Sequence, residues 1–442
     1  MAITIIKKPH QISPNGNLNT WMFSSDNPNI IYCVLTMTKG QSNDIIAKKK
    51  VFPKPLTNVL SVDVSNVLKN LAESVLNNST EVITLSNLPA YNVKIEEFII
   101  DPATGNITAG DTINEYSNYF FESEENVIDF FGYDSNKYNI QPYKGPSNTD
   151  PKAKFLTNQQ QVKNITTQQK EFLKIFDLNR HGQKLKVSLY DSDNDLLLDV
   201  SIPIEREGVG KNVISLNVSP LTILNHPLIK NTDEASITHT YRIVITDAWD
   251  YEVSESRIYT MRESCQLRER NIVYKNVLGG WDSIIVNNSI ETLTTAKTYI
   301  NRPISRNNTY SQDGKFFGNK DVINTNNTYS YTASSGYLDD YESNLAKEVI
   351  TSNKVYIAVD DFMVEISVDN KSYKVMQQHL NSFKRNRLDL QYTAPFSIQK
   401  LQTVINANDI DLNNNPDSAL YLAVNSGDFV IDNWLNSVTL KY

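Results

Sequence analysis

The chain has 442 residues, enough for about three domains of ordinary size. Tyr (23) and Phe (16) are plentiful, Gly (15) is sparse, and the formal net charge is −8. This composition predicts a folded, β-rich chain and excludes a disordered one. The acidic balance also excludes the basic footprint that a nucleic-acid-binding protein shows over the whole chain.

The sequence predicts neither a secretory signal nor a membrane span. Residues 1–6 begin directly as a strand and lack a basic segment followed by a long apolar run. Eighteen consecutive apolar residues occur nowhere, so no membrane span is expected. Two distant cysteines, Cys33 and Cys265, support neither a disulfide framework nor a zinc site, which favours a reducing compartment.

Residues 1–144 form the first predicted β-rich domain. Alternating and apolar runs predict strands over 30–37, 45–51, 82–85 and 91–100. After the strand-like run that starts at Leu60, Ser65 is predicted to be the N-cap of a helix over 66–77, because the apolar residues there recur at helical spacing. The motif Gly132-Tyr133-Asp134-Ser135 lies near the end of this domain.

A Gln-rich segment, 145–169, separates the first domain from the second. Its low apolar content and its turn residues predict a linker. Residues 170–283 form the second predicted β-rich domain, with strands over 184–190, 196–204, 240–247 and 254–261.

Two landmarks in the first domain recur in the second. Residues 214–220 repeat the alternation of residues 60–66, with Ser219 as the predicted N-cap and Pro220 in the first helical turn. Gly280-Trp281-Asp282-Ser283 corresponds to Gly132-Tyr133-Asp134-Ser135 at nearly the same offset. Two matched landmarks in the same order predict that one building block was duplicated.

Residues 284–442 form the third predicted domain, which is also β-rich. Residues 301–335 contain few aliphatic side chains, and a polar stretch of that length predicts an extended arm used in assembly. A helix is expected over 339–351 and strands over 355–359, 362–368, 372–376 and 388–392. The predicted fold is therefore mainly β: tandem antiparallel β-sandwich or barrel domains with a few short inserted helices and long polar loops.

No catalytic signature stands out. Residues 205–212 resemble a phosphate loop, but Glu205 and Asn212 occupy the places of its first glycine and its Ser/Thr. Residues 191–195 start like a calcium loop that then lacks its glycine and its terminal glutamate, and the five histidines lack metal spacing. We therefore predict no enzyme activity, cofactor or metal, although acid pairs such as Glu96-Glu97 leave a glycosidase open.

The most distinctive motif is Leu278-Gly279-Gly280-Trp281-Asp282-Ser283. Gly279 and Gly280 permit backbone conformations and close contacts that a Cβ would forbid. Trp281 can bury a large face, and Asp282 can accept turn N–H groups. Because an apolar run follows directly, the motif favours a structural corner, with carbohydrate stacking on Trp281 as the alternative.

This motif after a β-rich block, together with the Val62-Asp63-Val64-Ser65 junction, resembles virion tail proteins of phages that infect Bacteroidetes. The resemblance is greatest to the neck and tail ring proteins of crAss-like, short-tailed phages, and its specific part is the Gly-Gly-Trp-Asp core. It implies a β-sandwich subunit of a symmetric homo-oligomeric ring below the portal, around the DNA channel. Implied partners are the portal, other tail proteins and, non-specifically, packaged DNA.

The implied location is the virion, after assembly in the host cytoplasm. The alternative function is a baseplate or fibre-type adhesion module that presents aromatic side chains to a host-surface glycan.

Overall fold

The computed structural model shows a chain made mostly of strands, as the sequence predicts. It describes residues 3–40, 42, 44–55, 57–71, 76, 78–145, 152–206, 210–262, 269–301, 320–338, 340–359, 362–370, 386–398, 420–424, 427–432 and 437–441. The chain divides into two compact units: unit 1 is Met1–Leu293 with Ser330–Thr393, and unit 2 is Thr294–Tyr329 with Ala394–Tyr442. Within the described residues, no helix combines the length and apolar content needed to cross a membrane.

Unit 1 begins with a β-sandwich. Its elements are β1 (Ile3–Lys7), β2 (Ile12–Pro14), β3 (Thr20–Ser25), β4 (Ile30–Lys39), β5 (Ile45–Val51), β6 (Val59–Asp63), α1 (Ser65–Lys69), β8 (Ala90–Ile100) and β9 (Ile107–Phe121); between α1 and β8 the chain forms β7 (Ile83–Ser86), which belongs to a sheet of the second sandwich. One sheet has the order β1-β3-β6 and the other β2-β9-β8-β4-β5. Strand β2 runs parallel to β9, and the other pairs are antiparallel. Helix α2 (Val127–Phe131) and a 3-10 helix (Ser135–Tyr138) follow.

A second sandwich follows in unit 1. Its elements are β10 (Val162–Thr166), β11 (Phe172–Phe176), β12 (Lys184–Tyr190), β13 (Leu196–Pro203), β14 (Val213–Asn217), α3 (Pro220–Leu224), α4 (Glu234–Ile237), β15 (Thr240–Thr246) and β16 (Arg257–Arg262). Its sheets have the orders β10-β16-β15-β12-β13 and β11-β14-β7, and β10 runs parallel to β16.

The two sandwiches have the same strand order. Strands β2, β3, β4, β5, β6, β8 and β9 correspond, in that order, to β10, β11, β12, β13, β14, β15 and β16. Each of these strands occupies the same position in its sheet as its counterpart does. The pair β3-β6 occupies the positions of strands B and E in immunoglobulin variable-type sandwiches, and the four strands β9-β8-β4-β5 occupy the positions of G, F, C and C′. The similarity between the landmarks at 60–66 and 214–220 thus extends over whole sandwiches.

The corner after β6 and β14 repeats at the level of single contacts. The Val64 N–H donates to Asn19 O at 3.1 Å, and the Val218 N–H donates to Glu171 O at 2.9 Å. Tyr91 and Tyr241, each the second residue of the strand that leaves this corner, are both fully buried. Successive side chains of a strand point to opposite faces of its sheet. The side chains that point inward form one apolar cluster in each sandwich.

Both predicted helix caps differ from the structure in detail. The N-cap of α1 is Val64, so Ser65 is already the first helical residue, and its Oγ donates to Asp63 Oδ2 at 2.5 Å. Ser219 does occupy the N-cap of α3, but its side chain makes no cap hydrogen bond and donates to Asn217 Oδ1 at 2.6 Å. In both copies the Asp or Asn two residues upstream binds the hydroxyl, which removes it from the helix end. Helix α1 ends at Lys69, well short of the predicted end at residue 77.

The predicted linker and the domain boundary at 144 do not coincide with a gap between the two sandwiches. Strand β7 precedes that boundary yet pairs with β14 of the second sandwich, with Ile83 opposite Leu216. Within 152–169, Phe155 and Leu156 are buried, and residues 162–166 form strand β10. Gln side chains are used there in buried polar contacts, so the polar composition does not indicate a solvated segment. Residues 146–151 lie outside the described part.

A closed barrel completes unit 1, in the order β17-β18-β19-β22-β21-β20. Its elements are β17 (Glu269–Lys275), β18 (Trp281–Asn301), β19 (Lys320–Leu338), α5 (Asp340–Thr351), β20 (Val355–Val359), β21 (Phe362–Val368) and β22 (Asn386–Ala394). Helix α5 buries Ala346 and Val349, two of the residues predicted to face inward. Since β17 precedes residue 283, the barrel begins inside the segment predicted as the second domain.

Unit 2 contains the far ends of β18 and β19, residues 294–301 and 320–329, which we call the arm. Thr295 Oγ1 donates to Asn327 Oδ1 at 3.0 Å and joins the two strands there. The unit also contains an antiparallel sheet of β23 (Leu420–Val424), β24 (Gly427–Asp432) and β25 (Ser437–Lys441). The sequence predicted an extended polar segment over 301–335. Its residues 320–335 lie in β19, and its residues 302–319 lie outside the described part. Cys265 and the strand predicted over 372–376 also lie outside the described part.

Candidate functional site

The motif at 278–283 forms the turn between β17 and β18, where the two sandwiches and the barrel meet. Asn276 closes the turn: its Oδ1 accepts the Gly280 N–H, and its Nδ2 donates to Leu156 O, both at 2.9 Å. Gly279 has a φ of +81°, and a Cβ on it would lie 2.6 Å from Glu122 O. A Cβ on Gly280 would lie 2.0 Å from Leu156 O. Both glycines are therefore required by close backbone contacts, as a structural corner predicts.

Trp281 is buried in this corner. Its side chain is 5% exposed and packs with Phe172 and Val273. The indole also contacts the Tyr356 ring, with 5.6 Å between ring centroids. A buried indole has no free face for a sugar, so carbohydrate stacking on Trp281 is inconsistent with this packing.

Asp282 is a buried acid next to a second one. Its Oδ1 accepts a hydrogen bond from Thr157 Oγ1 at 2.5 Å, and its Oδ2 has no hydrogen-bond partner among the described residues. Burial, the largest cause, and the nearby Glu348 carboxyl raise the pKa of Asp282 against the opposing Thr157 hydrogen bond, and the pKa that results is about 7. Burial also raises the pKa of Glu348, which accepts from Asn158 Nδ2 at 2.9 Å and from the Val277 N–H at 3.2 Å.

A polar cluster around Glu171 joins the second sandwich to the barrel. Glu171 Oε1 accepts from Lys163 Nζ at 2.5 Å, from Gln169 Nε2 at 2.6 Å and from Ser283 Oγ. The Glu171 N–H donates to Ser219 Oγ at 3.0 Å. Ser219 is thus linked through Glu171 to Ser283, the last residue of the corner motif. Lys163 and Gln169 belong to the segment predicted as a linker, so sequence reasoning missed them.

The first motif, Gly132-Tyr133-Asp134, does not form the same structure as the second. Gly132 caps α2, and Asp134 caps the 3-10 helix by accepting the Asn136 N–H at 2.9 Å, whereas Trp281 and Asp282 begin a strand. Tyr133 is buried and donates from Oη to Ile12 O at 2.9 Å. The structure nevertheless brings both motifs to one apolar cluster, which contains Ile12, Phe121, Tyr133, Tyr138, Leu156, Phe176 and Leu278.

A cavity of about 390 Å³ lies beside this corner, and sequence reasoning missed it. Lys174, in the middle of β11, lines it together with Phe172, Glu122 and Trp281. Burial, the largest cause, and the Lys275 charge lower the pKa of Lys174 against the opposing Glu122 carboxylate, and the pKa that results is about 8. A single lysine inside the apolar run Phe172-Leu173-Lys174-Ile175-Phe176 was the signal that could have identified it, because an interior strand position rarely carries an unpaired charge.

The other candidate sites have ordinary roles in the structure. Residues 191–195 form the turn between β12 and β13, with Asp191 Oδ1 accepting the N–H groups of Asp193 and Asp195 at 2.9 Å each. Over the described ranges, no group of three or more His, Cys, Asp or Glu side chains is arranged to hold a metal. The phosphate-loop resemblance falls partly on residues 207–209, outside the described part.

Comparison with protein-family models and with curated protein sequences gives no match to this chain. The functional proposal therefore rests on the geometry of the structure. The corner at 276–283 holds three β-domains in a fixed arrangement, which is the property of a rigid building block.

Proposed function

We propose that this chain is a structural subunit of a bacteriophage virion, a tail or neck ring protein that forms a symmetric homo-oligomer below the portal, around the DNA channel. The arm is the observation that carries the proposal. It exposes apolar side chains on both of its strands: Tyr299, Ile300, Val322 and Ile323. Each consecutive pair places one apolar side chain on each face of the ribbon, so both faces of the arm offer apolar surface for contact with another protein.

The architecture of the arm supports the same function. A two-stranded ribbon is at best marginally stable alone in water, so contact with another surface would stabilise the arm. A repeated contact of one arm with the next copy closes a ring if the rotation between copies closes. The corner at 276–283 supports the proposal too, because it fixes the two sandwiches to the start of the barrel within unit 1, and a ring is built from subunits whose own domains keep a constant arrangement.

The direct test is the mass distribution of the purified protein, measured by mass photometry alone and with the portal protein of the same phage. We expect a discrete species of many subunits, in at least one of the two samples. A variant in which residues 294–329 are replaced by a short glycine-containing turn keeps all of unit 1 and should be monomeric. Wild-type protein that stays monomeric in both samples would refute the ring.

Point variants give the matched control. Ile323→Asp places a charge on the arm, where the side chain is 63% exposed, and should weaken assembly. Ile237→Asp places the same charge on α4, where the side chain is 58% exposed, and should leave assembly unchanged. Equal effects of the two would show that general surface charge, and not the arm, controls the mass.

The second candidate is the adhesion module, and Trp249 is the residue that favours it. Trp249 is 79% exposed, and Asp247 Oδ1 accepts the N–H groups of Trp249 and Tyr251, which orders the turn that presents the indole. Tyr251 stacks on Tyr143 at 4.1 Å between ring centroids. Glycan-array binding that is lost in Trp249→Ala, with folding retained, would support this candidate over the ring.

A further inference from the structure

Three strands present a row of polar side chains to the cavity beside the corner. Lys174 of β11 lies opposite Ser215 of β14, and Ser215 lies opposite Thr84 of β7. Directly opposed residues share one face of an antiparallel sheet, so these three side chains are neighbours, and all three line the cavity. Thr84 Oγ1 already donates to Ser215 O at 3.3 Å. The Lys174 ammonium and the Ser215 hydroxyl remain as donors.

The charges that act on the Lys174 ammonium are Lys275 and Glu122; a second carboxylate of the lining, Glu81, belongs to an exposed residue. Among the described residues, no acceptor lies within hydrogen-bond distance of Lys174 Nζ, and Glu122 is the carboxylate that faces it. Glu122 is already paired with Lys275 at 2.6 Å and accepts from Asn353 Nδ2 at 3.1 Å. Two lysines therefore share one carboxylate. A desolvated ammonium without a partner is unfavourable, and an anion beside it would offset that cost.

Aromatic rings line the cavity next to these donors. Phe172, Phe121 and Leu88 belong to the lining, and so does Trp281, whose indole is mostly packed against Phe172 and Val273. The volume of about 390 Å³ falls in the range of small-molecule sites, which combine apolar walls with a few polar groups.

We propose that this cavity binds a small organic anion, a carboxylate whose charged group contacts Lys174 and Ser215 and whose apolar body lies against Phe172 and Phe121. The site is built entirely within unit 1, so it exists in each subunit whether or not the subunits assemble. Bound ligand would connect β11 and β14 of the second sandwich to Phe121, the last residue of β9 in the first.

Isothermal titration calorimetry tests the proposal with two probes, benzoate and hexanoate, and with neutral benzyl alcohol as the comparison. At pH 7 we expect saturable binding of at least one carboxylate with a Kd of about 1 mM or tighter, and at least about tenfold weaker binding of benzyl alcohol. Lys174→Met should weaken carboxylate binding at least about tenfold, whereas Lys154→Met, at an exposed lysine nearby, should not. Raising the pH to about 9.5 should weaken binding too, because the Lys174 amine loses its proton while ordinary lysines keep theirs.

Two results would overturn the site. One is the lack of saturable binding of both carboxylates to folded wild-type protein. The other is binding of benzoate and benzyl alcohol with the same affinity, which would show that the ammonium plays no part. This second comparison needs no variant, so it decides the question even if Lys174→Met fails to fold; circular dichroism shows whether it has folded.

Discussion

Replacement of Gly280 by alanine is expected to destabilise the whole corner at 276–283. The new Cβ would lie 2.0 Å from Leu156 O, so the two segments must separate by more than about 1 Å to reach ordinary contact. Overpacking of this kind typically costs about 1–3 kcal/mol. Leu156 O also accepts the Asn276 Nδ2 hydrogen bond, and loss of that bond adds about 1 kcal/mol. We therefore expect Gly280→Ala to lower the free energy of unfolding by about 2–4 kcal/mol.

The sequence itself supplies the control, since Gly132 is the counterpart of Gly280 in the first motif. A Cβ on Gly132 would meet only Asp129 O, at 3.7 Å, which is ordinary contact. Gly132→Ala should therefore be close to neutral, or slightly stabilising through the unfolded chain. Urea unfolding followed by tryptophan fluorescence compares the three proteins. A Gly280→Ala protein that unfolds at the wild-type urea concentration, or a Gly132→Ala protein that is equally destabilised, would refute the close contact.

Two further predictions concern buried polar groups. The pKa of Asp282 is raised to about 7 from an ordinary value near 3.8. The contribution of Asp282 to the free energy of unfolding is therefore largest below about pH 4 and is lost as the pH rises through 7. This contribution amounts to at most about 4 kcal/mol. Denaturation of wild type and Asp282→Asn at several pH values should show their difference in unfolding free energy changing between about pH 4 and 7, and a constant difference over that range would contradict the raised pKa. Tyr241→Phe removes the hydrogen bond from Tyr241 Oη to Val218 O at 2.6 Å and should cost about 1 kcal/mol in thermal or urea unfolding. Tyr91→Phe, at the equivalent corner, removes a buried hydroxyl that makes no well-formed hydrogen bond among the described residues, although the Trp21 indole lies near it; it should cost less than Tyr241→Phe, and a larger loss would reverse the assignment.

Local patterns allowed much of the fold to be predicted. Strands β5, β12, β20 and β21 have the predicted bounds, because alternation of apolar and polar residues is a property of the strand itself. The helix predicted over 339–351 is α5 (Asp340–Thr351), because its apolar face recurs at helical spacing; residue 339 lies outside the described part. These features depend on neighbours a few residues apart and are therefore readable in the sequence.

Long-range pairing was not readable in the same way. Nothing in Ile83-Thr84-Leu85-Ser86 indicates that β7 pairs with β14 and not with its neighbours in the chain. Lys163 and Gln169 looked like linker residues because their partners, Glu171 and Ser283, are identified only by the fold. The glycines of the corner motif were recognised as a special backbone position, yet Leu156, the group they approach, lies more than a hundred residues away. Sequence patterns identify which residues are unusual, but the fold determines what they contact.

The position of β7 has a consequence for how this chain can be made and divided. During translation β7 emerges well over a hundred residues before β14, so it waits without its pairing partner until most of the second sandwich has been synthesised. A fragment that begins at residue 152 would leave the outer edge of β14 bare, and a bare edge invites pairing with other chains and aggregation. The two sandwiches should consequently be expressed together as one fragment, even though each has its own apolar core.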